Sequence, residues 1–283
     1  MKFGQEYKQR MEISLSGQAV VITGASMGIG EALAKIFAEH GARIVMSSRD
    51  MARAEAARQR IGSTEQTIAL ACDVRNREEI DRLVGLTLHH FERIDVWINN
   101  AGHGLADSVA EMDMATCRDM FDTNFFGTVQ AMQAVIPIMK RQGSGTIINV
   151  SSVAGHIPLP YSAAYSATKF AMNAIGKAAR AELAKTGIHV MTVCPGYVRT
   201  NFSVNRVKGK DRKEVRPQSQ GGIRPERVAR AVLTGYVKGK REVIVPWRDK
   251  IFIKLYQLLP GLVEGSMARM IRPAAEESSA ASK

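Results

Sequence analysis

Three side chains that could move a proton lie close together in the middle of this chain. Ser152 follows the apolar run Thr146–Val150, Tyr165 comes thirteen residues later, and Lys169 four after that. Positions i and i+4 of a helix share one face, so a helix beginning at Ala163 sets the phenol and the ammonium side by side. The apolar run reads as a strand, which puts Ser152 at its carboxyl end. Open α/β sheets bind ligands at that edge. A hydroxyl, a phenol and an ammonium there suit proton transfer to and from a carbonyl or alcohol oxygen.

The spacing alone is weak. Tyr236 and Lys240 form a second Tyr-x-x-x-Lys, and thirteen residues before that tyrosine stands Ile223. The elements around each pair must separate them.

Those elements alternate. Ala19–Thr23, Arg43–Ser47, Gln66–Ala71, Ile94–Ile98 and Ile188–Val193 are short apolar runs that read as buried strands. Helical patterns run from Glu31 to His40, with Gly41 as the cap, from Met51 to Ile61, from Asn76 to His90, and from Met114 to about Lys140. Strands alternating with helices predict a Rossmann-type, doubly wound parallel sheet in one α/β domain over residues 1–246. Residues 247–283 form a helical extension, with a low-complexity tail from Ala274.

Between the first strand and its helix lies Gly24-x-x-x-Gly28-x-Gly30. Gly24 permits a sharp exit, Gly28 lets a pyrophosphate approach the backbone, and Gly30 lets the helix pack close. The helix N-terminus offers N–H groups and partial positive charge to the phosphate. After the second strand comes Ser47-Ser48-Arg49-Asp50. A strand ending at Ser47 or Ser48 presents Arg49, with Ser48 as a donor, to the 2′-phosphate of NADP; a slip of one residue presents Asp50 to the 2′-hydroxyl of NAD. The reading favours NADP(H) over NAD(H).

Thr23-Gly24-x-x-x-Gly28-x-Gly30, Asp73-Val74, Asn99-Asn100-Ala101-Gly102, Asn124, Ser152, Tyr165-x-x-x-Lys169 and Pro195-Gly196 occur in this order. In spacing they resemble the short-chain dehydrogenase/reductase family, over roughly residues 17–246. The resemblance implies an oxidoreductase that interconverts a ketone and a secondary alcohol. Tyr165 would be the general acid/base, its phenol lowered toward neutrality by Lys169 and the oxidised nicotinamide. Ser152 would hold the substrate carbonyl, and Asn124 would support a water link to Lys169. The cofactor would be held by Gly24, Ser26, Met27, Gly28, Ile29 and Gly30, by Ser48 and Arg49, and by Asp73 and Val74 near the adenine. Asn100, Ala101 and Gly102, Tyr165 and Lys169, and Pro195, Gly196, Val198 and Thr200 would complete the cofactor site. His156 and Tyr161, in the loop before the helix, are candidates to line the substrate pocket beside Ser152 and Tyr165. Met27 departs from the family, since many NADP-dependent members carry a basic residue there. A homodimer or homotetramer is the expected assembly. A cofactor-binding protein of the same fold without turnover is the rival reading; the complete set of four catalytic positions argues against it.

Composition narrows the remainder. The net charge of +12 favours anionic partners. No helix-turn-helix, zinc or RNA-binding signature accompanies it, which argues against nucleic acid. Three scattered cysteines (Cys72, Cys117, Cys194) and six histidines without ligand spacing give neither a disulfide framework nor a metal site. No apolar leader and no long apolar run is present, so a cytoplasmic location is expected, at most on a membrane face. Residues 203–224 carry seven Lys or Arg against two acids and read as a mobile lid, or as a site of anion capture. After Pro246, Trp247, Ile251, Phe252, Leu255, Leu258, Leu259 and Leu262 recur at helical spacing among Arg248, Lys250 and Lys254. Such a segment lies on an anionic membrane or packs on protein. A membrane reading would favour a hydrophobic or lipid-like carbonyl.

Overall fold

The computed structural model describes residues 13–62, 66–202, 206–210 and 222–271. Its central strand, β1 (Ala19–Thr23), is buried at every position, as an apolar run flanked on both faces must be. β2 (Arg43–Ser48) and β4 (Val96–Asn99) pair with it in parallel, Val20 opposite both Ile44 and Val96. β3 (Thr67–Ala71) extends the sheet beyond β2, and β6 (Gly145–Val150) and β7 (Ile188–Pro195) extend it beyond β4. β9 (Glu242–Val245) closes the far edge, for the order β3-β2-β1-β4-β6-β7-β9, all parallel. The strand order reverses beside β1, which leaves a crevice between β1 and β4 at the carboxyl edge.

Helices cover both faces. α1 (Gly28–Glu39), α2 (Met51–Arg60) and α7 (Pro225–Val237) pack Leu33, Phe37, Ala57 and Val232 on one side. α3 (Arg77–Phe91), α5 (Gly127–Gln142) and α6 (Ala163–Glu182) pack Leu83, Val135 and Ala179 on the other. Asn76 caps α3 by accepting from Glu78 N at 2.9 Å. α1 starts at Gly28 rather than at Glu31, so the glycine turn is shorter than the sequence suggests. α7 and β9 were not anticipated, although Val228, Ala229, Val232 and Leu233 have helical spacing.

The expected helix from Met114 to Lys140 is interrupted. α4 (Met114–Phe121) passes into a π-helical turn, Asp122–Phe126, before α5 begins. Such widened turns often accompany functional sites, and this one carries Asn124. α6 begins at Ala163 as expected and presses close to the sheet. A Cβ on Gly155 would meet Lys169 O at 2.7 Å, and one on Gly176 would meet Thr192 Oγ1 at 3.0 Å.

Part of the region read as a mobile lid forms a strand. β8 (Val207–Lys208) pairs with β5 (Leu105–Ala106), because backbone hydrogen bonds from Val207 to Gly104 and from Gly209 to Ala106 tie it down. Residues 203–205 and 211–221, with Arg212, Lys213 and Arg216, lie outside the described residues, as do residues 1–12 and the tail from 272. Beyond Pro246, α8 (Asp249–Leu258) and α9 (Pro260–Met270) fold back on the domain through Ile253, Val263 and Met267. Among the described residues, no helix is long and apolar enough to cross a membrane.

Candidate active site

The β1–α1 turn leaves no room for side chains. Gly24 and Gly28 have φ of +63° and +61°, in the left-handed region that glycine enters without strain. A Cβ on Gly24 would meet Ala101 Cα at 2.8 Å, and one on Gly30 would meet Gly24 O at 2.4 Å. The neighbouring loop clamps the turn: Asn100 Nδ2 donates to the carbonyls of Thr23 and Gly24, and Thr23 Oγ1 accepts from the N–H groups of Asn100 and Ala101. Asn100 thus shapes the turn with its side chain. Met27 precedes α1 without a side-chain cap. A cleft of about 480 Å³ lies over this turn, lined by Ser26, Met27, Gly28 and Thr200. Ile29 packs partly buried on the core beneath. A Cβ-free cradle at an uncapped helix start fits a pyrophosphate.

β2 ends at Ser48, with Arg49 exposed beyond it. Asp50 is committed elsewhere: it caps α2 by accepting from Arg53 N at 3.1 Å and pairs with Arg53 Nε at 3.2 Å. Ser48 Oγ accepts from Asp50 N at 3.3 Å. Arg60, which sequence reasoning missed, donates to Ser26 O and pairs with Glu31. Hence the cleft beside Ser26 is walled by Arg53 and Arg60.

Asp73 sits after β3 in a network that spacing did not reveal. Arg75 binds Asp73 and also Asp119, and Asp119 lies 3.1 Å from His103 Nε2. The Asp73 carboxyl is held below its usual range, first by hydrogen bonding from Arg75 and more weakly by the Arg49 charge. Arg49 and Asp73 therefore share one corner of the crevice. Val74 is buried, and its carbonyl lies 2.8 Å from where a Cβ on Gly127 would stand.

Asn124, Ser152, Tyr165 and Lys169 converge beyond β4 and β6. Asn124 is fully buried; its Oδ1 accepts from His103 N, and its Nδ2 donates to His103 O and to Thr168 Oγ1. A Cβ on Gly102 would lie 2.8 Å from Asn124 Oδ1 and 3.9 Å from Lys169 Nζ, so the Gly102 turn passes directly over this pair. Lys169 Nζ donates to Val150 O at 3.0 Å and stands 5.7 Å from the Tyr165 ring centre. Burial pulls the ammonium down to about 8, with the Cys194 charge opposing. Ser152 Oγ donates to Pro195 O at 3.4 Å and accepts from Ala154 N at 3.1 Å. Ser151 turns away and donates to Lys169 O, as expected of a residue pointing opposite to Ser152.

Tyr165 stands beside Ser152, with Lys169 below its ring. Burial pushes its phenol up to about 12, with hydrogen bonding to Ser152 pulling the other way. The phenol is thus held protonated, the form that gives a proton away.

Pro195 ends β7, and Gly196 N donates to Val245 O. Val198 bridges to Ile223, and Thr200 Cγ2 lies 3.1 Å from the position of a Cβ on Gly28. Phe202, also missed, sets its ring centre 5.5 Å from that of Tyr165, tilted by 56°. Tyr161 precedes α6 with φ of +57°, an uncommon conformation for a bulky residue. His156 is held by partners from β7 and β9. Its Nε2 lies 3.3 Å from Glu242 Oε1 and 3.4 Å from Cys194 Sγ, forming a cluster behind the loop that local spacing did not reveal. All three cysteines are buried and free.

A sequence model of the family described as short chain dehydrogenase matches residues 18–211. Dehydrogenase/reductase SDR family member 7B of Danio rerio is 34% identical over 245 residues, 83% of this chain and 79% of that protein. Two solved structures are similar. A short-chain dehydrogenase from Streptomyces avermitilis has a TM-score of 0.79 at 26% identity, covering 90% of this chain and 98% of that one. The 3-ketoacyl-(acyl-carrier-protein) reductase from Brucella melitensis, complexed with NADH, has a TM-score of 0.73 at 28% identity, covering 82% and 98%. The match spans the glycine turn, the clamp of Asn100 and the Ser152–Tyr165–Lys169 group, and the chain belongs to the short-chain dehydrogenase/reductase family of oxidoreductases.

Proposed function

We propose that the protein is an NADP(H)-dependent oxidoreductase that interconverts a hydrophobic ketone and its secondary alcohol. The carrying observation is the convergence of Ser152, Tyr165, Lys169 and Asn124 beside a turn that only glycines fit. The nicotinamide, when bound, supplies or accepts the hydride. Ser152 Oγ releases Pro195 O and donates to the substrate oxygen, where negative charge develops during reduction. Tyr165 delivers its proton to that oxygen and takes it back in the oxidative direction. Lys169 holds positive charge near the phenolate, and Asn124 fixes the wall behind Lys169 through Thr168. Phe202 beside Tyr165 favours an apolar substrate.

The preference for NADP(H) rests on Arg49, exposed past β2, while Asp50 is occupied with capping α2. The Brucella melitensis reductase is complexed with NADH, so the choice falls to this corner and not to the family. Titration of the chain with NADPH and NADH, followed by turnover on a panel of apolar ketones, tests the proposal. Tighter binding of NADPH and reduction of a ketone are expected. Failure to bind either nucleotide would overturn it, and binding without turnover of any carbonyl would leave a nucleotide-binding protein in place of an enzyme.

A further inference from the structure

A surface helix ordinarily turns its apolar stripe inward. α8 and α9 do the reverse. Among the described residues, Ile253, Val263 and Met267, with Tyr256 partly buried beside them, face the protein. Trp247, Ile251, Leu258 and Leu262 are 71, 60, 77 and 66% exposed, and Leu255 is exposed beside them. Along α8 the residues Ile251, Leu255 and Leu258 fall within about 60° of one another, at 3.6 residues per turn. Lys254 and Arg248 stand about 60° to either side of Ile251, and Lys250 lies beyond Lys254.

The charge around this stripe points to one occupant. The three cations are exposed, and none of them forms an ion pair among the described residues. Both nearby acids turn away. Asp249 Oδ2 lies 2.1 Å from where a Cβ on Gly196 would stand, and Glu264 is bonded to Tyr256 at 3.1 Å. A rim of cations alone repels its own copy across an interface and attracts anionic headgroups, while the tryptophan and the leucines suit the layer below.

We propose that the outer face of α8 and α9 docks on a lipid bilayer rich in anionic headgroups. The inner face of the same arm bears on Val153 and Ile157, in the loop that follows Ser152. Docking therefore sets the arm that backs the Ser152 loop against the membrane. Granted the function proposed above, this opens the site to apolar carbonyl compounds dissolved in the bilayer.

Flotation of the full chain with vesicles tests the docking by itself, without turnover. Vesicles of phosphatidylcholine mixed with phosphatidylserine carry the protein up; phosphatidylcholine alone retains little. The double variant Ile251→Glu/Leu258→Glu lowers the bound fraction by roughly tenfold or more, and Lys250→Glu/Lys254→Glu does so by roughly tenfold. Both keep the wild-type affinity for NADPH, which reports an intact fold. Equal retention on both vesicle types, or no loss in either variant, overturns the proposal. So does a fall in assembly mass on Ile251→Glu/Leu258→Glu in lipid-free sedimentation, because a second copy would then be the cover. A chain that floats yet reduces no carbonyl keeps the docking and loses the enzymatic reading.

Discussion

Tyr-x-x-x-Lys occurs twice in this chain, and the two copies have different fates. Tyr165 and Lys169 lie inside α6, both on the side that faces the sheet edge, with the ammonium 5.7 Å from the phenol ring. Tyr236 lies one residue from the end of α7, and the chain turns at Gly239 with φ of +57° before Lys240. The helix that would align the second pair stops too early. Tyr236 packs on Phe37 and donates to Gln18, while Lys240 is exposed and offers its backbone carbonyl to His189. One spacing thus sets a phenol and an ammonium together at the sheet edge in the first case and yields a packing contact in the second. The difference lies in what each element ends against.

Removing each phenol breaks the comparison most sharply. Tyr165→Phe is expected to lower turnover by about 10²- to 10⁴-fold, the usual weight of a positioned general acid, with NADPH affinity nearly unchanged. Tyr236→Phe is expected to leave turnover alone. Steady-state kinetics on both variants decide it, and full activity in Tyr165→Phe would remove Tyr165 from the reaction.

The cofactor corner separates the two pairs further, since only Tyr165 has a glycine cradle beside it. Arg49→Ala is expected to weaken NADPH by about 10- to 100-fold, the worth of about 1.5–3 kcal/mol for hydrogen bonds to a charged group, and to spare NADH. Fluorescence titration reads both constants. Equal weakening would assign selectivity to Asp50, against its capping bond to Arg53 N.

Much of this was legible locally. The glycine turn, the Asn76 cap, the start of α6 at Ala163 and the order of the first strands all follow from residues within one turn or one strand of each other. What the spacing missed depends on partners distant in the chain. His156 lies in the right loop, yet its ring is turned by Cys194 and Glu242, which come from β7 and β9. Val207 and Lys208 read as part of a charged lid because nothing local shows that Gly104 O accepts from Val207 N and Ala106 O from Gly209 N. Arg75 has acids on either side, Asp73 two residues back and Asp119 on α4, and only the fold selects both. For Tyr165 and Lys169 the proximity was visible in the spacing, while the burial that raises the phenol and lowers the ammonium was not.

That burial makes Lys169 visible in the stability of the protein. The native state releases the Lys169 proton near pH 8 and the unfolded chain near its ordinary 10.5. Between those values the unfolded state binds more protons, so stability rises with pH. Between about pH 8 and about pH 9 this contribution is about 1 kcal/mol, and it is opposed by Cys72 and Cys194, which burial keeps protonated in the native state while unfolded thiols ionise. Urea unfolding of wild type and Lys169→Met across this window isolates it: the wild type should gain about 1 kcal/mol relative to the variant as pH rises. An identical slope in both would mean that the ammonium is better solvated than its 4% exposure implies.

The smallest effect tests the second pair on its own terms. The Tyr236 hydroxyl donates to Gln18 Oε1 at 2.7 Å, joining the end of α7 to the residue before β1. Both residues are only partly buried, so water can replace part of the lost bond. Tyr236→Phe keeps the ring on Phe37 and is expected to cost about 1 kcal/mol, read as a lower urea midpoint at unchanged slope. A Tyr236→Phe/Gln18→Leu double variant should recover part of that loss, because an unpaired acceptor is then removed. A fall in kcat for Tyr236→Phe would instead couple α7 to the reaction and erase the distinction between the two copies of the motif.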